Sequence, residues 1–484
     1  MDIKVFLAFV PILSLIIFSL RFNVQVAVIV GFILTSALFF YWGASLSYYV
    51  ATLISALIST MPVIMIVFGA IFLYQVMIHN GMINGITNSL NNLHKSNEVK
   101  FFLISVGLTA FFEGVAGFGT PGAIVPPILI SLGFNPVMSV AVVLLLDGLF
   151  AVFGAIGTPV IIGIKIPLGM ADADVTLLSR YTAILISIVS LIFMFAIILI
   201  FKRFNKKMEE KSKLILFFTF YTIPFLLISF FWSELSIVLS ALTMVILSVL
   251  YLSEGKVNID VKPWIPYFVL VMLLVLPKAL PPFFSFLKFE LSWINIFSTD
   301  VTASIKPLEN PFLQFIIVGV GLLMLRRKKG FLITPTLGKV AAVFVILYPS
   351  IAISQLMIRS GQQETSMLNY ISDVFSLSGS FYPVFSPFIG ILGAFVSGST
   401  TVSNIIFGAS QMAAAKELEL NEIFILALQH TGAAIGNAIC LFNIIAAATV
   451  ANIKDYKAIL NLNIIPTLIG GVVLGFMGYL FLII

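Results

Sequence analysis

Three ionisable side chains fall in stretches that are otherwise too apolar to hold a charge: Glu113, Asp147 and His430. A charged side chain at membrane depth costs roughly 3 kcal/mol or more, so each needs a partner, a water-filled cavity or a task. A carboxyl that exchanges its proton with the solution at the working pH can load and release one proton per cycle. A histidine, which titrates unperturbed at about pH 6.5, can hold the same proton beside an anion. Glu113, Asp147 and His430 are therefore candidates for proton coupling. Asp147 comes first, because its segment is broken just beyond it by Gly154-Ala155-Ile156-Gly157-Thr158-Pro159. The plainer alternatives stay open: Asp147 or Glu113 pairs inside a helix bundle, and an uncharged His430 donates one hydrogen bond. His79 and His94 fall near a predicted edge and are assigned no role.

The glycine-rich breaks suggest anion binding. The first reads Phe111-Phe112-Glu113-Gly114-Val115-Ala116-Gly117-Phe118-Gly119-Thr120-Pro121-Gly122. Each glycine costs a helix about 1 kcal/mol relative to alanine. Pro121 starts a new helix well, with Thr120 as its expected N-cap. A half-helix that begins inside the membrane carries about half a positive charge at its N-terminus and suits a carboxylate. Gly117, Gly119 and Thr120 are candidate substrate ligands on that ground. The second break reads Gly398-Ser399-Thr400-Thr401-Val402-Ser403-Asn404. Its hydroxyls and amide can cap the next half-helix and bond an anion, or help coordinate a sodium ion. This adds Gly398, Ser399, Thr400, Ser403 and Asn404. A third break, Gly432 through Gly436 and Asn437, then Asn443, adds His430, Thr431 and Asn437. Helix–helix packing by small residues is the competing explanation for each break taken alone.

Other chemistry finds little support. Gly117 to Gly122 matches the dinucleotide fingerprint GxGxxG, but no βαβ unit surrounds it. There is no HExxH, and three scattered histidines with the single Cys440 do not make a metal site. Gly408-Ala409-Ser410 and Gly379-Ser380-Phe381 are not nucleophile elbows. No enzyme activity and no cofactor are expected. A channel would need a continuous polar pore. The net charge of +6 sits in short loops, which points to membrane topology and not to nucleic acid.

The elements that carry these residues must be membrane helices. The chain has 484 residues, 60% hydrophobic and 10% charged, and a mean hydropathy of +1.15. Soluble domains carry about 25% charged residues to cover their surface. Continuous apolar runs of roughly 20 residues match a bilayer core of about 30 Å as helix. Spans are expected at 4–20, 24–42, 60–79, 137–165, 175–201, 214–231, 235–252, 263–281, 311–325, 336–358, 422–452 and 458–484. The run from Ile3 to Leu20 has no small-residue cleavage site after it and is taken as a retained span. Two interrupted stretches, 101–132 and 382–416, are expected to be re-entrant hairpins, since irregular backbone at membrane depth survives only inside protein or beside a cavity. The fold class is thus an all-α polytopic protein of the cell membrane, with about 12 transmembrane helices and two hairpins.

Lys and Arg set the orientation. With Lys202, Arg203, Lys206, Lys207, Lys211, Lys213, Arg326, Arg327, Lys328 and Lys329 inside, Arg21, Lys95, Lys100, Lys256, Lys262, Lys339, Lys454 and Lys457 fall inside as well. Both termini are then outside. The hairpins open to opposite faces, and residues 1–201 and 263–484 become halves of an inverted repeat joined by linker spans in 202–262. Weak echoes agree: Phe111-Phe112-Glu113-Gly114 with Phe395-Val396-Ser397-Gly398, and Asp147-Gly148 before Gly154 with Gln429 before Gly436. Paired interruptions in such a repeat point to a transporter's binding site.

On these residues the chain resembles the L-lactate permease family of lactate/glycolate–proton symporters. Phe112-Glu113-Gly114-Val115-Ala116-Gly117-Phe118-Gly119-Thr120-Pro121 is similar to the family's Leu-Glu-Gly-Ala-Ala-Gly-Phe-Gly-Ala-Pro. Phe153-Gly154-Ala155-Ile156-Gly157-Thr158-Pro159 resembles its Phe-Gly-Ala-Met-Gly-Ile-Pro, and Phe385-Ser386-Pro387-Phe388-Ile389-Gly390, Ser397-Gly398-Ser399 and Ser403-Asn404 resemble its second hairpin. The chain departs from the family pattern at Thr400, where the family has Asp, and at Asn437, where it has Lys. It departs also at Leu441-Phe442, where the family has Pro-Gln, and at Asp147, where it has Asn. The resemblance implies import of a small monocarboxylate, lactate or a similar 2-hydroxy acid, with a proton. A sodium-coupled or dicarboxylate carrier and an anion channel are the alternatives. The partners implied are a small organic anion, the coupling ion and the lipid bilayer.

Overall fold

The structure, a computed structural model, describes residues 3–482 apart from 23, 92–93, 95, 118, 206–208, 253–260, 309, 327–332 and 363–364. Lys95, Lys206, Lys207, Lys256, Arg327, Lys328 and Lys329, named above for topology, lie outside the described residues, as does Phe118.

Helices dominate. In chain order they are α1 (Ile3–Arg21), α2 (Val24–Tyr41), α3 (Leu46–His79), α4 (Met82–Asn91), α5 (Asn97–Val115), α6 (Thr120–Ser131), α7 (Pro136–Phe150), α8 (Gly154–Val160), α9 (Ile166–Leu168) and α10 (Asp172–Asn205). Next come α11 (Lys211–Ser229), α12 (Ser233–Leu252), α13 (Ile265–Ala279), α14 (Phe312–Arg326), α15 (Ile333–Arg359), α16 (Met367–Ser376), α17 (Tyr382–Ser397), α18 (Thr400–Glu417), α19 (Glu422–Gly436), α20 (Leu441–Val450) and α21 (Tyr456–Phe481). One antiparallel pair of three-residue strands, β1 (Leu291–Trp293) and β2 (Ala303–Ile305), is the only sheet among the described residues. Among the described residues, eight helical segments are long and apolar enough to cross a membrane: Pro136–Leu168, Asp172–Asn205, Lys211–Ser229, Ser233–Leu252, Thr336–Arg359, Gly379–Ser397, Glu422–Val450 and Tyr456–Phe481.

Several boundaries differ from the sequence expectation for local reasons. The helix expected from residue 60 starts at Leu46, because Ser45 caps it by accepting a bond from the Tyr48 amide. Thr52 and Thr60 return their hydroxyls to the carbonyls of Tyr48 and Ala56, so the polar stretch does not break the helix. At 34 residues α3 is about 51 Å long, well beyond a bilayer core of roughly 30 Å. Two short amphipathic helices, α4 and α16, are additions to the sequence expectation; each stands between a long helix and an interrupted stretch. Both interrupted stretches are pairs of packed helices, α5 with α6 and α17 with α18. Within the segment 202–262, α11 and α12 pack on each other, and α12 lies along α5.

The contacts that build the interior come in reciprocal sets. α6 packs on α20, and α18 packs on the turn Ile161–Lys165 just after α8. α10 packs on α19, and α21 on α7; α3 packs on α14, and α15 on α2. Small residues make the closest of these approaches. A methyl group at Gly432 would strike the Pro387 carbonyl, and one at Gly390 the Gln429 carbonyl, so α17 and α19 touch backbone to backbone.

Candidate functional site

Both helix pairs end at glycines that only a left-handed backbone satisfies. Gly117 has φ 57° and Gly119 φ 75°, and Gly119 caps α6. Thr120, the expected cap, is the first residue of that helix instead, and no side chain caps it. In the second pair Gly398, at φ 70°, ends α17, and Ser399 caps α18 by accepting the Val402 amide at 3.3 Å. The amides of Thr400 and Thr401, in the first turn of α18, donate to no backbone carbonyl among the described residues. That leaves donors, and the positive end of the helix dipole, free for an acceptor.

The third and fourth breaks are sharper. α7 runs into a 3-10 turn, Ala151–Phe153, and then into three consecutive left-handed residues, Ala155 (φ 43°), Ile156 (φ 56°) and Gly157 (φ 76°). A β-branched residue such as Ile156 is a genuine outlier there and needs surrounding structure to hold it. Thr158 helps by donating its hydroxyl to the Ala155 carbonyl. α19 gives way to a 3-10 turn at Asn437–Ile439 before α20.

These breaks meet at one cavity of about 560 Å³. From the first half of the chain it is lined by Glu113, Gly117, Gly119, Asp147, Gly154 and Thr158, and from the second by Ser397, Gly398, Ser399, Thr400, Thr401 and Asn437, with Asn443 beside them. Gln25 and an apolar strip of α15, Ala342, Val343, Ile346 and Leu347, also line it. Among the described residues, Glu113 and Asp147 are the only ionisable ones in the lining, and the helices that carry them, α5 and α7, pack on each other. Asn437 Nδ2 donates to Thr400 Oγ1 at 2.7 Å. The two positions where the family pattern carries Asp and Lys are thus direct partners here, in uncharged form. Glu113 Oε2, Asp147 Oδ1 and Asn437 Oδ1 are buried without a hydrogen-bond partner.

Of the residues singled out from sequence, Glu113, Gly117, Gly119, Asp147, Gly398, Ser399, Thr400 and Asn437 come together at this wall. Thr120, Ser403, Asn404, His430 and Thr431 do not line it. Ser403 donates to the Gly390 carbonyl at 3.0 Å and accepts from Gln429 Nε2 at 3.2 Å. Gln429 in turn accepts from Gln411, which accepts from Tyr382. Thr431 bonds the Ala427 carbonyl one turn back. Asn404 Nδ2 reaches the Pro159 carbonyl at 3.2 Å and His430 Nδ1 at 2.8 Å, and His430 Nε2 meets the Val152 carbonyl at 2.8 Å. A carbonyl only accepts, so Nε2 carries the proton and Nδ1 accepts from Asn404. His430 is therefore a neutral bridge from α18 and α19 to the break after α7. Ser397, Thr401 and Thr158 also stand in the wall; all three belong to the breaks quoted from sequence but were not named as candidate ligands, and their place within one turn of a break is the signal that could have singled them out.

No group of three or more His, Cys, Asp or Glu able to hold a metal occurs among the described residues.

Comparison with known proteins agrees with this architecture. The sequence profile of the L-lactate permease family matches residues 4–484. The chain is 28% identical over 482 residues to a Haemophilus influenzae protein whose name assigns it provisionally as an L-lactate permease, covering 90% of this chain and 89% of that one. It is 25% identical to the L-lactate permease of Streptococcus iniae, over 88% of this chain and 94% of that one. It is 22% identical to the glycolate permease of Escherichia coli, over 78% and 77%. A profile that covers nearly the whole chain, on a protein with eight membrane-length apolar helices, makes it a multi-pass permease of the cell membrane and not an enzyme, and the chain belongs to the L-lactate permease family.

Proposed function

We propose that the chain is a secondary active transporter that imports a small monocarboxylate, lactate or a similar 2-hydroxy acid, together with a proton. The observation that carries the reading is the convergence of the breaks from both halves of the chain on one cavity, where the free amides of Thr400 and Thr401 and a pair of carboxyl groups lie in the same wall. The amides and the left-handed turns at Gly119 and Gly398 suit a carboxylate, and the unpartnered oxygens of Glu113, Asp147 and Asn437 suit a proton or a hydroxyl donor. Relatives named for lactate and glycolate transport support the same substrate class.

In this reading Gly117, Gly119, Gly398, Ser399, Thr400 and Asn437 contact the anion, while Ser403, Asn404, His430 and Thr431 hold the wall in place. The reciprocal packing of α6 on α20 and of α18 behind α8, and the matching order of long helix, short amphipathic helix, helix pair and broken helix, support two inverted halves, 1–201 and 263–484. About 12 spans and two re-entrant hairpins, 101–132 and 382–416, fit that arrangement. Sodium coupling is the second reading, since three buried oxygens without donors would also suit a small cation.

Purified protein in liposomes, offered a panel of labelled mono- and dicarboxylates with and without pH and sodium gradients, tests the reading. Saturable uptake of a short monocarboxylate, driven uphill by a pH gradient, is the expected result. Passive, non-saturating flux indicates a channel, and uphill uptake that tracks sodium alone indicates the second reading.

A further inference from the structure

Where the breaks after α17 and α19 meet, the cavity wall sets an acceptor beside a group of donors. Asn437 opens the 3-10 turn that follows α19, and Thr400 opens α18. Both are buried, at 5% and 3% exposure, and both line the cavity. Asn437 Nδ2 donates to Thr400 Oγ1 at 2.7 Å. Asn443, in α20, extends its Nδ2 to the Gly398 carbonyl at 3.4 Å and to the Asn437 carbonyl at 3.5 Å, which ties the same two breaks a second time.

That arrangement leaves a defined set of free groups. A carboxamide has one acceptor oxygen, and a hydroxyl that accepts a bond still has its own proton to give. With Nδ2 engaged, Asn437 Oδ1 is buried without a donor. Thr400 keeps its hydroxyl proton, and the amides of Thr400 and Thr401 meet no backbone carbonyl among the described residues. A buried acceptor with no donor is costly, and a ligand that brings a donor removes the cost.

These groups sort ligands by chemistry. A carboxylate only accepts, so it suits the amides that open α18 and cannot satisfy Asn437 Oδ1. A hydroxyl on the carbon next to that carboxylate can: it donates to Oδ1 and accepts from Thr400 Oγ1. A 2-oxo acid places a second acceptor there, and an unsubstituted acid a methylene; either leaves Oδ1 unpaired. Glu113 Oε2 and Asp147 Oδ1 are unpartnered acceptors as well, but they come from α5 and α7, whereas Asn437 is bonded directly to the residue whose amide is free.

We propose that Asn437 and Thr400 together recognise the substrate's 2-hydroxyl, Asn437 Oδ1 accepting its proton and Thr400 Oγ1 donating to its oxygen, so that the site selects 2-hydroxy monocarboxylates over 2-oxo and unsubstituted ones. This deepens, and rests on, the reading of the cavity as the anion site of a monocarboxylate carrier. A site built to bond a substrate hydroxyl rejects the analogue that lacks it, because the site's own polar group is left unpaired.

Equilibrium binding of lactate, pyruvate and propanoate to the purified protein in detergent tests the assignment, since the three acids differ only at the second carbon. Wild type is expected to bind lactate roughly tenfold or more tighter than either of the others, the effect of one unpaired buried group. Asn437→Leu, of similar bulk but without polar atoms, should bring lactate down to the affinity of propanoate. Thr400→Val, which keeps the backbone amide, should erode the preference, and Thr400→Ser, which restores the hydroxyl, should retain it; this couple decides if Asn437→Leu does not fold. Equal binding of the three acids by wild type overturns the proposal and leaves the carrier reading standing. Tighter binding of pyruvate overturns it too, because the amide then presents Nδ2 and not Oδ1 to the ligand. So does a lactate preference that survives Asn437→Leu and is lost in Glu113→Gln or Asp147→Asn, which assigns the hydroxyl to a carboxyl. A preference that depends on Asn437, in a protein that shows no uphill uptake in liposomes, supports the pair and refutes the carrier reading. Binding of none of the three acids refutes both.

Discussion

Replacing His430 by leucine separates a bridge from a proton carrier. The ring is fully buried and sits between Asn404 Nδ2 and the Val152 carbonyl, each at 2.8 Å. Leucine has similar bulk, so little cavity is created; the cost is the two bonds. Interhelical hydrogen bonds in membrane proteins contribute about 0.6 kcal/mol each, which sets the lower bound. The Val152 carbonyl is then left buried without this donor, which adds about 1–3 kcal/mol. Asn404 keeps the Pro159 carbonyl at 3.2 Å, so its loss is partial. The expected total is about 2–4 kcal/mol of stability. Thermal unfolding of the variant in detergent should show a clearly lower midpoint than wild type. His430→Gln, which keeps a donor and an acceptor, should recover part of it. Whatever transport remains should respond to pH as the wild type does, because the neutral ring carries no coupling proton. A His430→Leu protein with unchanged thermal stability and transport that no longer responds to pH would refute this reasoning and return His430 to the coupling machinery.

Three further outcomes are expected. Gly119 has φ 75° and open space where a Cβ would stand, so Gly119→Ala should cost about 1–2 kcal/mol of backbone strain; Gly119→Val, reaching further into the cavity, should weaken substrate binding tenfold or more, about 1.4 kcal/mol, and normal binding by titration calorimetry would put the carboxylate elsewhere. Gly432→Val, driven against the Pro387 carbonyl, should destabilise the protein by about 1–3 kcal/mol or more, whereas Gly338→Ala, with nothing within 4 Å, should be neutral or stabilising by up to about 1 kcal/mol; thermal melts in the reverse order would contradict the packing of α17 on α19. A cysteine placed at Arg203 in a Cys440→Ala background should resist membrane-impermeant reagents added outside, as cytoplasmic residues do, and labelling from outside would invert the orientation.

Much of the scaffold is written locally, and so is legible without a structure. Apolar runs of membrane length mark the helices, because a chain in lipid must satisfy its own backbone. The breaks at Gly117–Gly119, Gly154–Gly157 and Gly398–Ser399 are visible because glycine tolerates the left-handed turn and serine caps the next helix. Glu113 and Asp147 stand out because a carboxyl in an apolar run has to be accounted for. What stays hidden is direction. Thr400 and Thr401 reach the cavity, while Ser403 and Asn404, one turn along the same helix, are taken up by α17, α19 and the break after α7. Residues three and four apart share a helix face, so position along the helix makes that difference, and only the neighbours' positions say where the cavity stops. The start of α3, the helices α4 and α16, and the apolar wall supplied by α15 are likewise set by packing and not by any local motif. The meeting of Glu113 and Asp147 in one cavity wall, and the pairing of Thr400 with Asn437 and of His430 with Val152 across 278 residues, depend on how separate helices cross. Sequence determined where the backbone breaks and where charge is embedded, since those are single-residue energies; tertiary structure decided which of these groups meet, since that is a property of distances between helices that no single residue encodes.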